Sequence, residues 1–592
     1  MNDPQFTLKN RLLLLGMIAL VLAIYSYPAL RTAAATGSRT LPPVLAPDLS
    51  LYLNVSAMRS APFIEPYYGT VVPASRMGYL KFHLAFFLFA KFSGLLQGNL
   101  WWTLFLWNLL WWGLLCLIAV WLFRRFLPDR SSLTIIAGIG LLMLVNFGVL
   151  LEEVKAWAHV WSLNGFQTIE LPLIRSFFPQ LPLPLVILYV GLQILALQER
   201  RWWPWMAMAA TQFVAFATFP YATLMMIGIT GVAVLGLLVS RRGGLPWSRI
   251  LLYGLVCGTF DVLFFLHGGD SVSSSATHSP LIRLDLSILP HRIGGMWLVL
   301  AMLTASIFLI RDLAPEIRWT LAGMGVANLF LLLGDVLFSE AALQMSHHGG
   351  YFIQATVAVL MICVLSSIYA RLMRSSRLWR FAAIGVIALL LINGMIVAHA
   401  MYREFLPANE STAQLAAAVR STSPQASDLV LAHSLSVDDD CAWVPLLSPS
   451  HVVYCRNAQV LLSPNQNRDI QRTRQALYLY FGGKDARWVD HVLGDGSALS
   501  ELTRLMFLGQ VDTNAADRES ATREIRTDLI PKLSRIEQKD PDIRSFFGQY
   551  GNVFVIDNIV DPYFSEGRLS QYLKIEGRTT VGRMMILRTS PR

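Results

Sequence analysis

Long apolar runs dominate the first two-thirds of the chain, and each is about the length of a helix that crosses a bilayer. Eleven such runs stand out: Leu12–Leu30, Trp101–Phe123, Leu133–Leu151, Leu183–Leu197, Trp203–Phe219, Tyr221–Val239, Ile250–Leu266, Ile293–Ile310, Trp319–Phe338, Tyr351–Ala370 and Phe381–Met401. A spanning helix needs about 20 mostly apolar residues, and Leu183–Leu197 reaches that length by borrowing from its flanks. Pro220 separates two neighbouring runs into a tight hairpin. After Met401 the sequence turns ordinary, with mixed stretches such as Asn465–Arg474 and Arg518–Asp540. Composition agrees: charged residues make up 15% of the chain, against about 25% in soluble proteins. The expected fold is therefore an α-helical polytopic membrane protein with a C-terminal mixed α/β domain. Residues 1–401 form the transmembrane domain, with a long first loop at 31–99, and residues 402–592 form the soluble domain.

Basic residues set the orientation, because cytoplasmic loops are rich in Lys and Arg. Lys9 and Arg11 precede the first run, and Arg124, Arg125 and Arg130 follow the second. Arg200 and Arg201, then Arg241, Arg242 and Arg249, then Arg311 and Arg318, then Arg371, Arg374, Arg377 and Arg380 fall at every second boundary. The intervening boundaries carry few. This phase predicts a multi-pass protein of the cell (inner or plasma) membrane, with a cytoplasmic N-terminus and an extracytoplasmic C-terminal domain. Tyr79–Leu96 would break the phase if it crossed, so it is expected to lie at the outer interface. The first run, with Ala33–Ala35 after it, is expected to be an uncleaved anchor. The net charge of +10 reflects clusters placed for lipid headgroups, and no nucleic-acid partner is expected.

On this map all histidines fall on the outer side or its edge: His83, His159, His267, His278, His291, His347, His348 and His399, then His433, His451 and His491. Short, arginine-filled inner loops leave histidine nowhere else to go; an outward-looking working face explains the same pattern. Asp48, Glu152, Glu153 and Asp335 lie near outer span ends, and Asp261 lies deeper. Acids at membrane depth are costly and tend to face a cavity.

The arrangement resembles the GT-C membrane glycosyltransferases, which take sugars from polyprenyl phosphates and include aminoarabinose transferases and protein O-mannosyltransferases. The resemblance is architectural and covers the membrane part. Gly78-Tyr-Leu-Lys-Phe-His-Leu-Ala-Phe-Phe-Leu-Phe-Ala-Lys-Phe is similar to the family's interfacial helix. Leu171-Pro-Leu-Ile-Arg-Ser-Phe-Phe-Pro-Gln-Leu-Pro-Leu-Pro is similar to the stretch leading into its fourth span. The resemblance implies that Asp48 is the general base and that Glu152 or Glu153 is the second acidic site. A carboxylate can take the acceptor hydroxyl's proton as its oxygen attacks the anomeric carbon, inverting it. The leaving phosphate needs positive charge or a divalent metal. Arg59, Arg76, Lys155, Arg175, His347 and His348 are candidates, and Glu65 is the next acid of the first loop. Many members carry two adjacent acids there, whereas Leu49 follows Asp48 in this chain. The implied partners are a polyprenyl-phosphate sugar donor, membrane lipid and an extracytoplasmic lipid, glycan or protein acceptor. A transporter or flippase, an O-antigen polymerase or ligase, and a binding scaffold are the alternatives.

In the soluble part, strands are expected at Asp428–His433, His451–Tyr454, Val553–Ile556 and Arg583–Leu587, with a helix at Asn467–Phe481. Arg518–Asp540 is read as a solvated helix pair broken at Pro531. Asp438, Asp439 and Asp440 form a solvated turn. Cys441 and Cys455 face an oxidising compartment, where they either pair as a disulfide or stand as two thiols.

Overall fold

The structure, a computed structural model, describes residues 7–39, 41–43, 49, 53–54, 56, 84–147, 171–175, 180–199, 201–240, 246–273, 295–334, 345–372, 377–433, 440–455, 468–495, 502, 522–539 and 541–592. It divides into two compact units, one of Met1–Ala35 and Lys81–Phe405, the other of Thr36–Leu80 and Leu406–Arg592.

The first unit is helical. Its helices are α1 (Leu8–Thr36), α2 (Leu84–Leu95), α3 (Leu100–Phe126), α4 (Ser132–Leu144), α5 (Pro182–Gln198) and α6 (Trp203–Thr218). Then come α7 (Pro220–Val239), α8 (Trp247–Ser273), α9 (Gly295–Ile307), α10 (Pro315–Leu332), α11 (Met345–Leu372) and α12 (Arg377–Thr422). Every one of the apolar runs is thus a helix over most of its length, and α2 falls where the interfacial helix is expected. Among the described residues, five helices are long and apolar enough to cross a membrane: the first, the third, the seventh, and the stretches Gly350–Arg371 and Arg380–Thr422. The starts follow ordinary capping chemistry. Asn99 caps α3 through Trp102 N, Ser131 caps α4 through Thr134 N, and Pro182 and Pro220 occupy first turns where no N–H is needed.

Small residues let helices approach. A Cβ on Gly323 of α10 would stand 2.6 Å from the Ile229 carbonyl oxygen of α7, and one on Gly228 would stand 2.8 Å from Ala327 Cβ. Large apolar side chains such as Leu251 and Leu255 point outward, 66% and 67% exposed, as a lipid-facing surface requires. Some polar groups inside form a network. Tyr189 and Tyr253 hydroxyls lie 2.5 Å apart, Tyr253 donates to Gln212 Oε1, and Gln212 Nε2 donates to Asp261 Oδ2 at 2.9 Å. Asp261 is therefore joined to a network linking α5, α6 and α8.

The second unit is α/β. Its sheet runs in the order β2-β1-β3-β5-β4, from β1 (Leu429–Ala432), β2 (His451–Val452), β3 (Val553–Asn558), β4 (Leu573–Val581) and β5 (Met584–Pro591). β2, β1 and β3 are parallel, with Leu429 facing His451 and Val553, while β5 pairs antiparallel with both β3 and β4. β1 and β3 are buried throughout, in keeping with the apolar runs Leu429–Ala432 and Val553–Ile556. Helices α13 (Arg468–Phe481), α14 (Ala486–Asp495), α15 (Ile530–Glu537) and α16 (Pro541–Gly548) pack around the core of Phe481, Phe547 and Tyr572. Arg474, only 3% exposed, donates to the Val452 carbonyl at the end of β2 and to the Tyr550 hydroxyl at 2.9 Å.

The division between units falls at Phe405/Leu406, within α12. The second unit also takes in Thr36–Leu80. Its described residues explain why: Leu49, Leu53 and Ser56 are buried, and Asn54 Nδ2 donates to the Ala442 carbonyl at 2.7 Å. Pro531 does not split a helix pair. A π-turn over Ile525–Leu529 runs straight into α15, and its wider winding accommodates the missing proline N–H. Nor is that segment solvated all round, since Ile525, Leu529, Leu533 and Ile536 are buried. Cys441 and Cys455 are both buried. The Cys441 thiol turns to the Ala432 carbonyl. Asp438 and Asp439 lie outside the described residues, and Asp440 opens a 3-10 turn reaching Trp443.

Candidate functional site

In the first unit, polar side chains converge where the last turns of α1 face the middle of α12. The Tyr27 hydroxyl lies 3.0 Å from His399 Nδ1. Tyr402 lies near both rings, edge-on to Tyr27 at 6.4 Å and tilted against His399 at 6.0 Å. The Arg31 guanidinium sits over the Tyr402 ring, 5.6 Å from its centroid. Arg31 and Arg403 both act electrostatically on the His399 ring. Both are exposed, and neither has a carboxylate partner within ion-pair distance among the described residues. Two arginines at other helix ends are paired: Arg125 with Glu199 at 2.8 Å, Arg371 with Asp312 at 2.9 Å. The cluster therefore presents two uncompensated guanidinium groups and an imidazole, a set suited to an anion.

The turn that bears Arg175 is tied to the same helix. That turn, 171–175, is built on buried Leu171, Leu173 and Ile174. Leu171 N donates to Met401 Sδ at 3.2 Å, and Trp112 Nε1 donates to the Leu173 carbonyl at 2.9 Å. Trp112 packs against Tyr25 of α1, with ring centroids 4.7 Å apart. So the turn bearing half-buried Arg175 is fastened to α12 at Met401, beside Tyr402 and two residues from His399.

Arg175 is thus the one expected site residue whose side chain the structure describes. His347 and His348 lie in the first turn of α11, as its backbone shows, with side chains outside the described residues. Asp48, Arg59, Glu65, Arg76, Glu152, Glu153, Lys155 and Asp335 lie outside the described residues. Asp48 immediately precedes buried Leu49. Sequence reasoning missed Arg403. It was counted with the soluble domain because it follows Met401, although four residues, one helical turn, separate it from His399. Among the described residues no three His, Cys, Asp or Glu side chains gather in a way that could hold a metal ion.

The second unit has its own buried titratable pair. His433, just past β1, stacks on Tyr563 with centroids 3.9 Å apart, and its Nδ1 lies 2.6 Å from the Tyr478 hydroxyl. Burial, and then the Lys484 ammonium, push its pKa down to about 4. Asp557, at the end of β3, accepts from the backbone N–H of Asn558, Tyr563 and Phe564 at 2.8, 3.1 and 2.7 Å. Burial raises its pKa, against the pull of those donors. These groups pin the loop after β3 to the carboxyl end of the sheet.

Fold and site together define a helical unit of membrane-crossing proportions, carrying a basic cluster and followed by an α/β unit. No family model matches the chain, and no curated protein matches it. Among solved structures, the chain is similar to the archaeal oligosaccharyltransferase AglB from Archaeoglobus fulgidus, in complex with an inhibitory peptide and a dolichol-phosphate. That match has 11% sequence identity and a TM-score of 0.36, over 82% of this chain and 69% of that chain.

Proposed function

We propose that the chain is a membrane glycosyltransferase that moves a sugar from a polyprenyl-phosphate donor to an extracytoplasmic lipid, glycan or protein acceptor. The helices cross the membrane eleven times with the N-terminus in the cytoplasm, and the second unit lies outside the cytoplasm. The observation that carries the reading is the cluster of Arg31, His399 and Arg403 with the Arg175 turn fastened beside it. On the arginine map these groups lie at the outer ends of the first and last spans, where a lipid phosphate would sit.

The chemistry follows from those charges. Asp48 takes the acceptor hydroxyl's proton as the oxygen forms a bond to the anomeric carbon. The bond between that carbon and the phosphate oxygen breaks, inverting the carbon and leaving polyprenyl phosphate. The guanidinium groups neutralise the charge that grows on the phosphate, and Glu152 or Glu153 supplies the second acidic site. Glu65, Arg59, Arg76, Lys155, His347 and His348 remain candidate substrate contacts, and a divalent metal would serve the same phosphate.

The test is Asp48→Asn expressed in cells lacking the native copy. With normal membrane insertion, the surface glycan should fall by about a hundredfold or more, and Arg31→Gln should lower it as well. Full retention of the glycan in Asp48→Asn would remove the catalytic assignment.

A further inference from the structure

The third apolar run stays apolar through Leu151, yet its helix stops at Leu144. Its 13 residues rise about 20 Å, short of the roughly 30 Å of a hydrocarbon core. Val145 is extended, with φ −123° and ψ 124°. A helix end leaves its last four carbonyls without partners, and lipid offers no water to satisfy them.

Here all four are satisfied, by three other helices. Gln354 Nε2 of α11 donates to the Leu141 and Leu142 carbonyls at 3.1 and 2.8 Å. The Tyr25 hydroxyl of α1 donates to the Met143 carbonyl at 2.6 Å. Asn393 Nδ2 of α12 donates to the Leu144 carbonyl at 2.7 Å. Gln354 Oε1 also accepts from Phe147 N at 3.0 Å, so one side chain holds both the helix end and the chain leaving it. Gln354 is 5% exposed and Asn393 8%, so neither is a surface group that happens to lie near. Close packing fixes the same end: a Cβ on Gly394 would stand 2.7 Å from Leu144 Cδ2, and one on Gly140 would stand 2.8 Å from Leu390 Cδ1. The other end is pinned as firmly, since Asp129 Oδ2 accepts from Ser131 Oγ at 2.6 Å and Asp129 N donates to Ser366 Oγ at 2.8 Å. A helix that continued to Leu151 would satisfy these carbonyls itself and would have no use for three buried polar side chains.

We propose that Gln354 is a positioning residue, assisted by Tyr25 and Asn393. It ends α4 inside the membrane, so that the second outer loop starts from a fixed buried point rather than from the membrane surface. That loop carries Glu152 and Glu153, eight and nine residues beyond Leu144. The role in activity rests on reading those acids as the second acidic site; the hold on the helix end does not.

The experiment uses the full chain in lipid nanodiscs and in cells, with hydrogen exchange and surface glycan as separate readouts. Gln354→Leu removes all three hydrogen bonds at similar volume. Amide exchange at Val145–Phe147 should quicken at least about tenfold, while amides of α7 and α10 keep their rates. Surface glycan should fall about tenfold with the same amount of protein in the membrane. Gln354→Glu, whose protonated carboxyl keeps a donor and an acceptor, should restore slow exchange and part of the glycan. If Gln354→Leu fails to accumulate, Tyr25→Phe removes one hydroxyl from the same end and should quicken the same amides less. Unchanged exchange at Val145–Phe147 would overturn the proposal. Quickened exchange with undiminished glycan would overturn the positioning role in activity. Glycan retained in Asp48→Asn while Gln354→Leu still quickens exchange would remove the catalytic assignment of Asp48 but leave the hold on the helix end standing.

Discussion

Single side chains in the second unit make its stability depend on pH. The unfolded chain protonates His433 near pH 6.5, whereas in the fold burial and Lys484 hold its pKa down to about 4. Between those values the unfolded state binds the extra proton, so stability falls as pH drops through that window. The effect is roughly 3 kcal/mol at its largest. His433→Phe keeps a ring against Tyr563 but cannot protonate. Thermal unfolding of the full chain in detergent, followed at pH values from 7 to about 4.5, should show a flatter pH dependence for this unit in the variant. An unaltered slope would mean that another group titrates there. Little of this was legible in the sequence. His433 is flagged only by its position on the outer face, and its stacking partner Tyr563 is 130 residues away. Arg403 shows the same limit: its link to Arg31 depends on how α1 and α12 pack, which no local pattern reveals.

At the scale of elements, hydropathy carries far. Each apolar run is a helix, because in lipid a backbone must satisfy its own hydrogen bonds and only the helix does so within one segment. The buried strands β1 and β3 were equally visible as apolar stretches. Two features were hidden for opposite reasons. α4 ends early although its sequence stays apolar, because the groups that stop it lie on α1, α11 and α12. β4 was missed because it is an exposed edge strand, with Lys574, Glu576 and Arg578 where a core strand would carry apolar residues. Such charges guard an edge against further pairing. Glycine spacing reports helix contact more directly. Gly323→Val would drive a side chain into the Ile229 backbone, 2.6 Å from its carbonyl oxygen. Overpacking of this kind costs about 1–3 kcal/mol, so the unfolding midpoint in detergent should drop by several degrees. An unchanged midpoint would show that α7 and α10 do not approach there.

For the whole molecule, the arginine phase decides which groups share a compartment. It assigns Arg31, Arg175, His399 and Arg403 to the outer ends of their helices, together with the loops bearing Asp48, Glu152 and Glu153. The structure adds that the first of those loops belongs with the C-terminal unit, through Asn54 and Ala442. A two-state topology reporter fused after Arg592 tests the arginine phase most directly. An alkaline phosphatase there should be active, and a fluorescent protein there dark, with the reverse for fusions between α7 and α8. A C-terminal phosphatase that is inactive while the fluorescent fusion glows would place the domain in the cytosol and leave the proposed reaction centre without a basis.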